Sequence, residues 1–172
     1  DWFDHVEIFT GDLLESETLE GLCDDIDAAY YLVHSMTAGS GYTQRDKVAV
    51  KNFIHVAQNV SHVIYLGGIL PKSKRASSHL KSRAEVGRLL RKKLPTTEFR
   101  AGPIIGSGSA SFEMTRYLTE RIPVMITPRW IKNRVQPIAV RDILSYLILA
   151  LDKGPSDVVE VGAEAVTFRE MM

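Results

Sequence analysis

The sequence predicts a three-layer α/β sandwich built on a mostly parallel sheet. Two observations carry the prediction. First, Ala28-Ala29-Tyr30-Tyr31-Leu32-Val33 and His62-Val63-Ile64-Tyr65-Leu66 are continuously apolar runs, as expected of strands buried on both faces. Second, a helix-period segment separates them, giving one strand–helix–strand unit, and the alternation continues to the end of the chain. The two runs close on His34-Ser35-Met36 and Gly67-Gly68. Open parallel sheets take ligands beyond the carboxyl ends of their strands, so a ligand is expected at these residues.

The elements follow in order. Val6 to Phe9 reads as a short strand, followed by Thr10-Gly11-Asp12. Ser16 opens a helix to about Cys23, with Glu17 and Glu20 placed where the helix dipole favours negative charge. After the strand at Ala28, a helix from Thr43 or Gln44 to Val60 puts Ala49, Phe53, Val56, Ala57 and Val60 on one face. The strand at Val63 leads to a polar loop from Pro71 to Ser77, then a helix over Ser78 to Lys93 that stops at Pro95. Phe99 to Ile105 reads as a strand and Ser111 to Glu120 as a helix. Pro137 to Val140 is a short strand, Asp142 caps a helix from Ile143 to about Leu151, and Val158 to Gly162 is the last strand. Thr167 reads as a further helix N-cap.

The 172 residues, 45% of them hydrophobic, suit one domain. A lone Cys23 excludes a disulfide framework and fits a reducing compartment. No apolar run approaches the roughly 20 residues of a membrane span, and no secretory leader opens the chain; a cytoplasmic protein is the expectation. The net charge is zero but unevenly placed. Residues 1–27 hold ten acidic side chains and no Lys or Arg, whereas residues 72–93 hold nine basic ones against Glu85 alone. The basic segment reads as a solvated helix face or a rim for a phosphorylated ligand. Without aromatic residues between Lys72 and Lys93, it does not read as a single-strand nucleic-acid platform. The chain starts at Asp1 close to a strand and stops at Met172 in a helix just begun, so it reads as a segment cut at both ends.

Few chemical motifs stand out. Gly106-x-Gly108-x-x-Ser111 resembles a dinucleotide turn, but its third position is Ser where Gly or Ala permits close packing. His5, His34, His55, His62 and His79 show no metal-ligand spacing, so no metal is expected. His34 stands at a strand end where a general base could face a cleft. His79 and Arg83 lie four apart, presenting a proton donor and a cation on one helix face.

Thr10-Gly11-Asp12-Leu13, Tyr31 to Met36, Tyr65 to Gly68, Ser78 to Gly87 and Gln136 to Asp142, in this order, resemble the atypical branch of the extended short-chain dehydrogenase/reductases. The resemblance is closest to the NAD(P)-binding nucleoside-diphosphate-sugar epimerase-like and NmrA-like proteins. It implies a Rossmann-like sheet over residues 1–172, with the substrate-side region beginning at about residue 123. It implies an NAD or NADP site in which Gly11, Asp12 and Leu13 lie beside the adenine, and His34, Ser35 and Met36 run along the cofactor. Gly67 or Gly68 stands where the family carries a catalytic Ser. His79-x-x-x-Arg83 stands where it carries Tyr-x-x-x-Lys, making these two the candidate catalytic groups. The substrate implied is a small carbonyl compound or a nucleotide sugar, and the alternative is a non-catalytic dinucleotide-sensing or assembly module.

The resemblance begins at the family's third strand. Its first two strands and Gly-x-x-Gly-x-x-Gly loop are missing from this sequence, so weak or absent dinucleotide binding is expected of these residues. An incomplete sheet would leave the Ala28 strand with a bare edge. Either the chain forms a homo-oligomer over that edge, or its first strand moves beside the Ala28 strand.

Overall fold

In the computed structural model, residues 2–35, 41–71, 76–121 and 129–171 are described. Strands β1 (Ala28–Tyr31), β2 (His62–Gly68), β3 (Thr96–Ala101) and β7 (Val158–Val161) form one all-parallel sheet in the order β1-β2-β3-β7. Two small sheets flank it. Strands β4 (Ile104–Ile105) and β6 (Ile138–Ala139) pair in parallel, and β5 (Arg134–Val135) and β8 (Val166–Thr167) pair antiparallel. The helices are α1 (Tyr42–Val56), α2 (Ser78–Lys93), α3 (Ala110–Arg121), α4 (Val140–Lys153) and α5 (Phe168–Met171). The predicted class, a mostly parallel Rossmann-like sheet between helical layers, is the one observed.

Alternation along β2 explains the layers, since successive strand residues point to opposite faces. Val63 and Tyr65 join Tyr31, Phe53, Val86 and Leu90 under α1 and α2, with the Tyr31 and Phe53 rings 4.9 Å apart. Ile64 points the other way, to Phe99, Ile143, Leu147 and Ala150 of the core beneath α4.

The polar residues of β3 have partners. Glu98, 1% exposed, accepts from Arg91 Nε at 2.8 Å and Arg100 Nε at 2.7 Å, and Arg91 also reaches Asp157 at 2.6 Å. Gly87 lets α2 lie on this carboxylate, because a Cβ there would stand 2.5 Å from its carbon. Buried His62 places Nε2 2.8 Å from Thr97 Oγ1, which also accepts from the Ser156 amide. Burial holds the His62 pKa below its ordinary 6.5. The unfolded chain therefore takes up the proton first, and this contribution to stability is whole above pH 6.5 and falls as the pH drops below it. Melting temperature is expected to decrease from pH 7 to pH 5, with a smaller decrease in His62→Gln; equal slopes would contradict this.

Several boundaries differ from expectation. Residues Val6 to Phe9 form no strand, and Ile8 is 72% exposed. A strand needs a neighbour for its backbone hydrogen bonds, and β1 pairs only with β2 among the described residues. The first segment has therefore not moved beside β1 as a strand. The helix expected from Ser16 is a single 3-10 turn, Ser16–Leu19, followed by turns to Asp25. The strand expected over Phe99 to Ile105 breaks after Ala101, where a Cβ on Gly102 would lie 1.9 Å from the Gln136 carbonyl oxygen. Helix α4 starts at Val140, capped by the extended Ala139, so Asp142 lies inside its first turn. Thr167 does cap α5: its Oγ1 accepts from the Glu170 amide, while the Glu170 carboxylate accepts from the Thr167 amide.

Candidate functional site

The carboxyl end of β2 meets the first turns of α2, where Gly68 packs on Leu80 and the Leu66 carbonyl accepts from Arg83. Ser77 caps this helix by accepting the Leu80 amide at 3.2 Å, which sets His79 in its opening turn. His79 is half-buried; burial, then the charges of Arg83 and His34, hold its pKa below 6.5, against an upward pull from Asp46. The imidazole is thus neutral near pH 7, able to accept a proton or share one.

Arg83 lies one turn further along. Its Nη2 donates to the Leu66 carbonyl at the end of β2, and its buried Nε has no partner among the described residues. The Tyr65 hydroxyl donates to the Arg83 carbonyl at 3.0 Å, and burial pushes the Tyr65 pKa up to about 12. Arg83 is therefore drawn against the strand end, clamping α2 to β2.

The two glycines ending β2 differ in what they face. A Cβ on Gly67 would stand 3.4 Å from Glu98 Oε1 and 3.3 Å from the Tyr65 ring, in the layer beneath α2. A Cβ on Gly68 would stand 3.0 Å from Leu80 Cδ2, beside His79 at the start of the helix. Gly68 is thus the position where an added side chain would meet the opening of α2.

Asp46 of α1 is a buried carboxylate that the sequence reading did not single out. It is buried, accepting the Ser35 amide at 3.0 Å on one oxygen and the Ser82 hydroxyl at 2.7 Å on the other. His34 and Ser35 are thereby brought to the His79–Arg83 face of α2. Met36 lies outside the described residues.

Gly11 and Leu13 lie on the segment that packs over Ala29 and Tyr31 of β1. Gly11 and Leu13 line an apolar groove of about 340 Å³ with Phe9, Ala29, Tyr31 and Val33. Gly11 is required by close packing, since a Cβ would stand 2.8 Å from the Thr18 carbonyl oxygen. Asn52 donates to the Leu13 carbonyl at 2.8 Å, tying the segment to α1, and the Asp12 carboxylate accepts the Leu14 amide. The groove runs toward Val33 and so toward His34.

The remaining motifs are engaged elsewhere. Gly106 packs on Val140, where a Cβ would stand 2.4 Å from Cγ1, and Ser109 ties the start of α3 to the Ile104 carbonyl. In the basic segment, Arg88 pairs with Glu85 and Arg91 with Glu98, while residues 72–75 lie outside the described residues. Among the described residues no cluster of His, Cys, Asp and Glu could hold a metal, and no helix is long and apolar enough to cross a membrane.

No protein-family model and no curated protein matches the sequence. Solved structures do match. A nucleoside-diphosphate-sugar epimerase from Staphylococcus aureus superposes with a TM-score of 0.79 over 99% of this chain and 60% of its own, at 17% identity. The chain has the Rossmann-like fold of the nucleotide-sugar epimerases and dehydratases. A dTDP-glucose 4,6-dehydratase from Streptomyces venezuelae with NAD bound matches this chain with a TM-score of 0.73, over 94% of it and 60% of the dehydratase, at 17% identity. A UDP-glucose 4-epimerase from Thermotoga maritima, in complex with UDP-glucose, gives 0.72 over 93% and 64%, at 14% identity. The chain thus spans about three-fifths of the length of these structures.

Proposed function

We propose that these residues form part of an NAD(P)-dependent site for oxidoreductase or epimerase chemistry on a small carbonyl or nucleotide-sugar substrate. The observation that carries the reading is His79, a half-buried imidazole with lowered pKa in the opening turn of α2, whose next residue, Leu80, packs on Gly68 at the carboxyl end of β2. The residues present fit the two ends of a dinucleotide. The groove at Gly11 and Leu13 offers an apolar slot for a flat base, and Gly68 leaves the end of β2 without a side chain against the opening of α2. No Gly-x-x-Gly-x-x-Gly turn stands among the 172 residues to hold the pyrophosphate between those ends. A bound nicotinamide dinucleotide supplies hydride transfer; His79 exchanges a proton with the substrate oxygen, and Arg83 holds α2 against β2 so that His79 keeps its place.

A second reading, a dinucleotide-binding module without turnover, is favoured by the engagement of Arg83 with the Leu66 carbonyl. His79→Ala separates the two. In the whole protein, assayed with nucleotide sugars and small aldehydes, it is expected to lower turnover by about 100-fold or more, with dinucleotide affinity unchanged. Turnover at the native level in that variant would contradict the role given to His79.

A further inference from the structure

We propose that Asp46 is the positioning residue of this site, a single buried carboxylate that locks the His34–Ser35 segment following β1 to the His79–Arg83 face of α2. The inference rests on reading the ends of β1 and β2 as the ligand site, and its test needs neither dinucleotide nor substrate.

Asp46 occupies a position where α1 is otherwise apolar. Ala49, Val50 and Phe53, three, four and seven residues on, are all buried on the same stripe. A carboxylate on such a stripe is unfavourable unless its oxygens are satisfied. Both are: Oδ1 accepts the Ser35 amide at 3.0 Å, and Oδ2 accepts the hydroxyl of Ser82, itself buried, at 2.7 Å. The two donors belong to separate elements, and each is the chain neighbour of a candidate site residue, Ser35 of His34 and Ser82 of Arg83. One side chain from α1 therefore fixes the spacing between the cleft wall after β1 and the helix that carries His79.

The same carboxylate supplies charge. The ionisable groups acting on His79 are Arg83 from its own helix, His34 from the end of β1, and Asp46 from α1; the first two disfavour the imidazolium and Asp46 favours it. Asp46 is thus the counterweight that sets how acidic His79 becomes. An apolar or neutral residue of similar size could pack on the stripe without performing that part.

Two variants test the two halves of the proposal in the 172-residue chain. Asp46→Asn keeps the shape and an acceptor for the Ser35 amide but removes the charge. Followed through its imidazole proton signal by NMR, His79 is expected to titrate at lower pH in this variant than in the native chain. Asp46→Ala removes both acceptors, and the Ser35 amide is expected to lose its protection from hydrogen exchange, while Asp46→Asn keeps it. An unchanged or raised His79 midpoint in Asp46→Asn overturns the electrostatic half. A Ser35 amide still protected in Asp46→Ala overturns the positioning half. Should Asp46→Ala fail to fold, Asp46→Leu, which keeps the apolar stripe filled but offers no acceptor, takes its place in the exchange measurement.

Discussion

Replacing Glu98 by alanine is expected to lower the unfolding free energy by about 3 kcal/mol, measured by urea denaturation. The carboxylate is 1% exposed and lies between Arg91 and Arg100, whose side chains are 24% and 17% exposed. Removing it leaves two cations facing each other beneath α2 with their shared acceptor gone. Their partial access to water keeps the cost at the lower end of the range for a broken buried pair. A double-mutant cycle isolates the close approach of the helix. In the native background, Gly87→Ala places a Cβ 2.5 Å from the Glu98 carboxylate carbon and is expected to destabilise. In the Glu98→Ala background that clash is gone, and the better helix propensity of alanine should stabilise by up to about 1 kcal/mol. Additive effects would mean that Gly87 is not there to accommodate Glu98.

The second large effect concerns the bare edge of β1. We propose that a second copy of the chain covers it. The surface there joins Tyr30 to the exposed stripe Leu144, Ile148 and Leu151 of α4, since the Tyr30 hydroxyl donates to the Leu147 carbonyl at 2.9 Å. These side chains carry no charge, so the surface can face its own copy without repulsion. Light scattering is expected to give twice the monomer mass, and the double variant Leu144→Lys/Ile148→Lys the monomer mass with unchanged circular dichroism. A native chain that stays monomeric at submillimolar concentration would contradict the proposal.

Much of this architecture is legible in the residues, for identifiable reasons. Helix α2 spans the expected Ser78–Lys93, because a capping Ser77 and the terminating Pro95 bracket it locally. Strand β2 announces itself as an unbroken apolar run and is buried along most of its length. Strand β1 stops at Tyr31, and Tyr30, Leu32 and Val33 of the same run are exposed because nothing among the described residues pairs with that edge. Val6 to Phe9 has the composition of a strand without being one, because strand formation depends on a neighbour and not on β-propensity alone. The start of β3 was missed for the opposite reason: Thr96, Thr97 and Glu98 look like loop residues until their buried partners are known. The break at Gly102 depends on Gln136, more than thirty residues away, and is invisible to local pattern.

The site shows the same division. His79 and Arg83 could be singled out by spacing, but that Arg83 turns back onto the Leu66 carbonyl follows only from the packed strand end. The choice between Gly67 and Gly68 required knowing which of them faces Glu98. Asp46 did leave a signal, a charged residue on the apolar stripe of a helix. Its meaning emerges once Ser35 and Ser82 are seen to converge on it.

The central claim is that the ends of β1 and β2, with the opening of α2, form part of a dinucleotide site. The measurement that tests it most directly is an NADH titration of the 172-residue chain followed residue by residue by NMR. Saturation in the millimolar range, about 4 kcal/mol of binding, is predicted, with shifts concentrated at Gly11 to Leu13, His34, Ser35, Gly68 and His79. Shifts centred instead on the acidic depression between Ser16 and His55, or none at the strand ends, would contradict the placement of the site. Micromolar saturation would contradict its incompleteness.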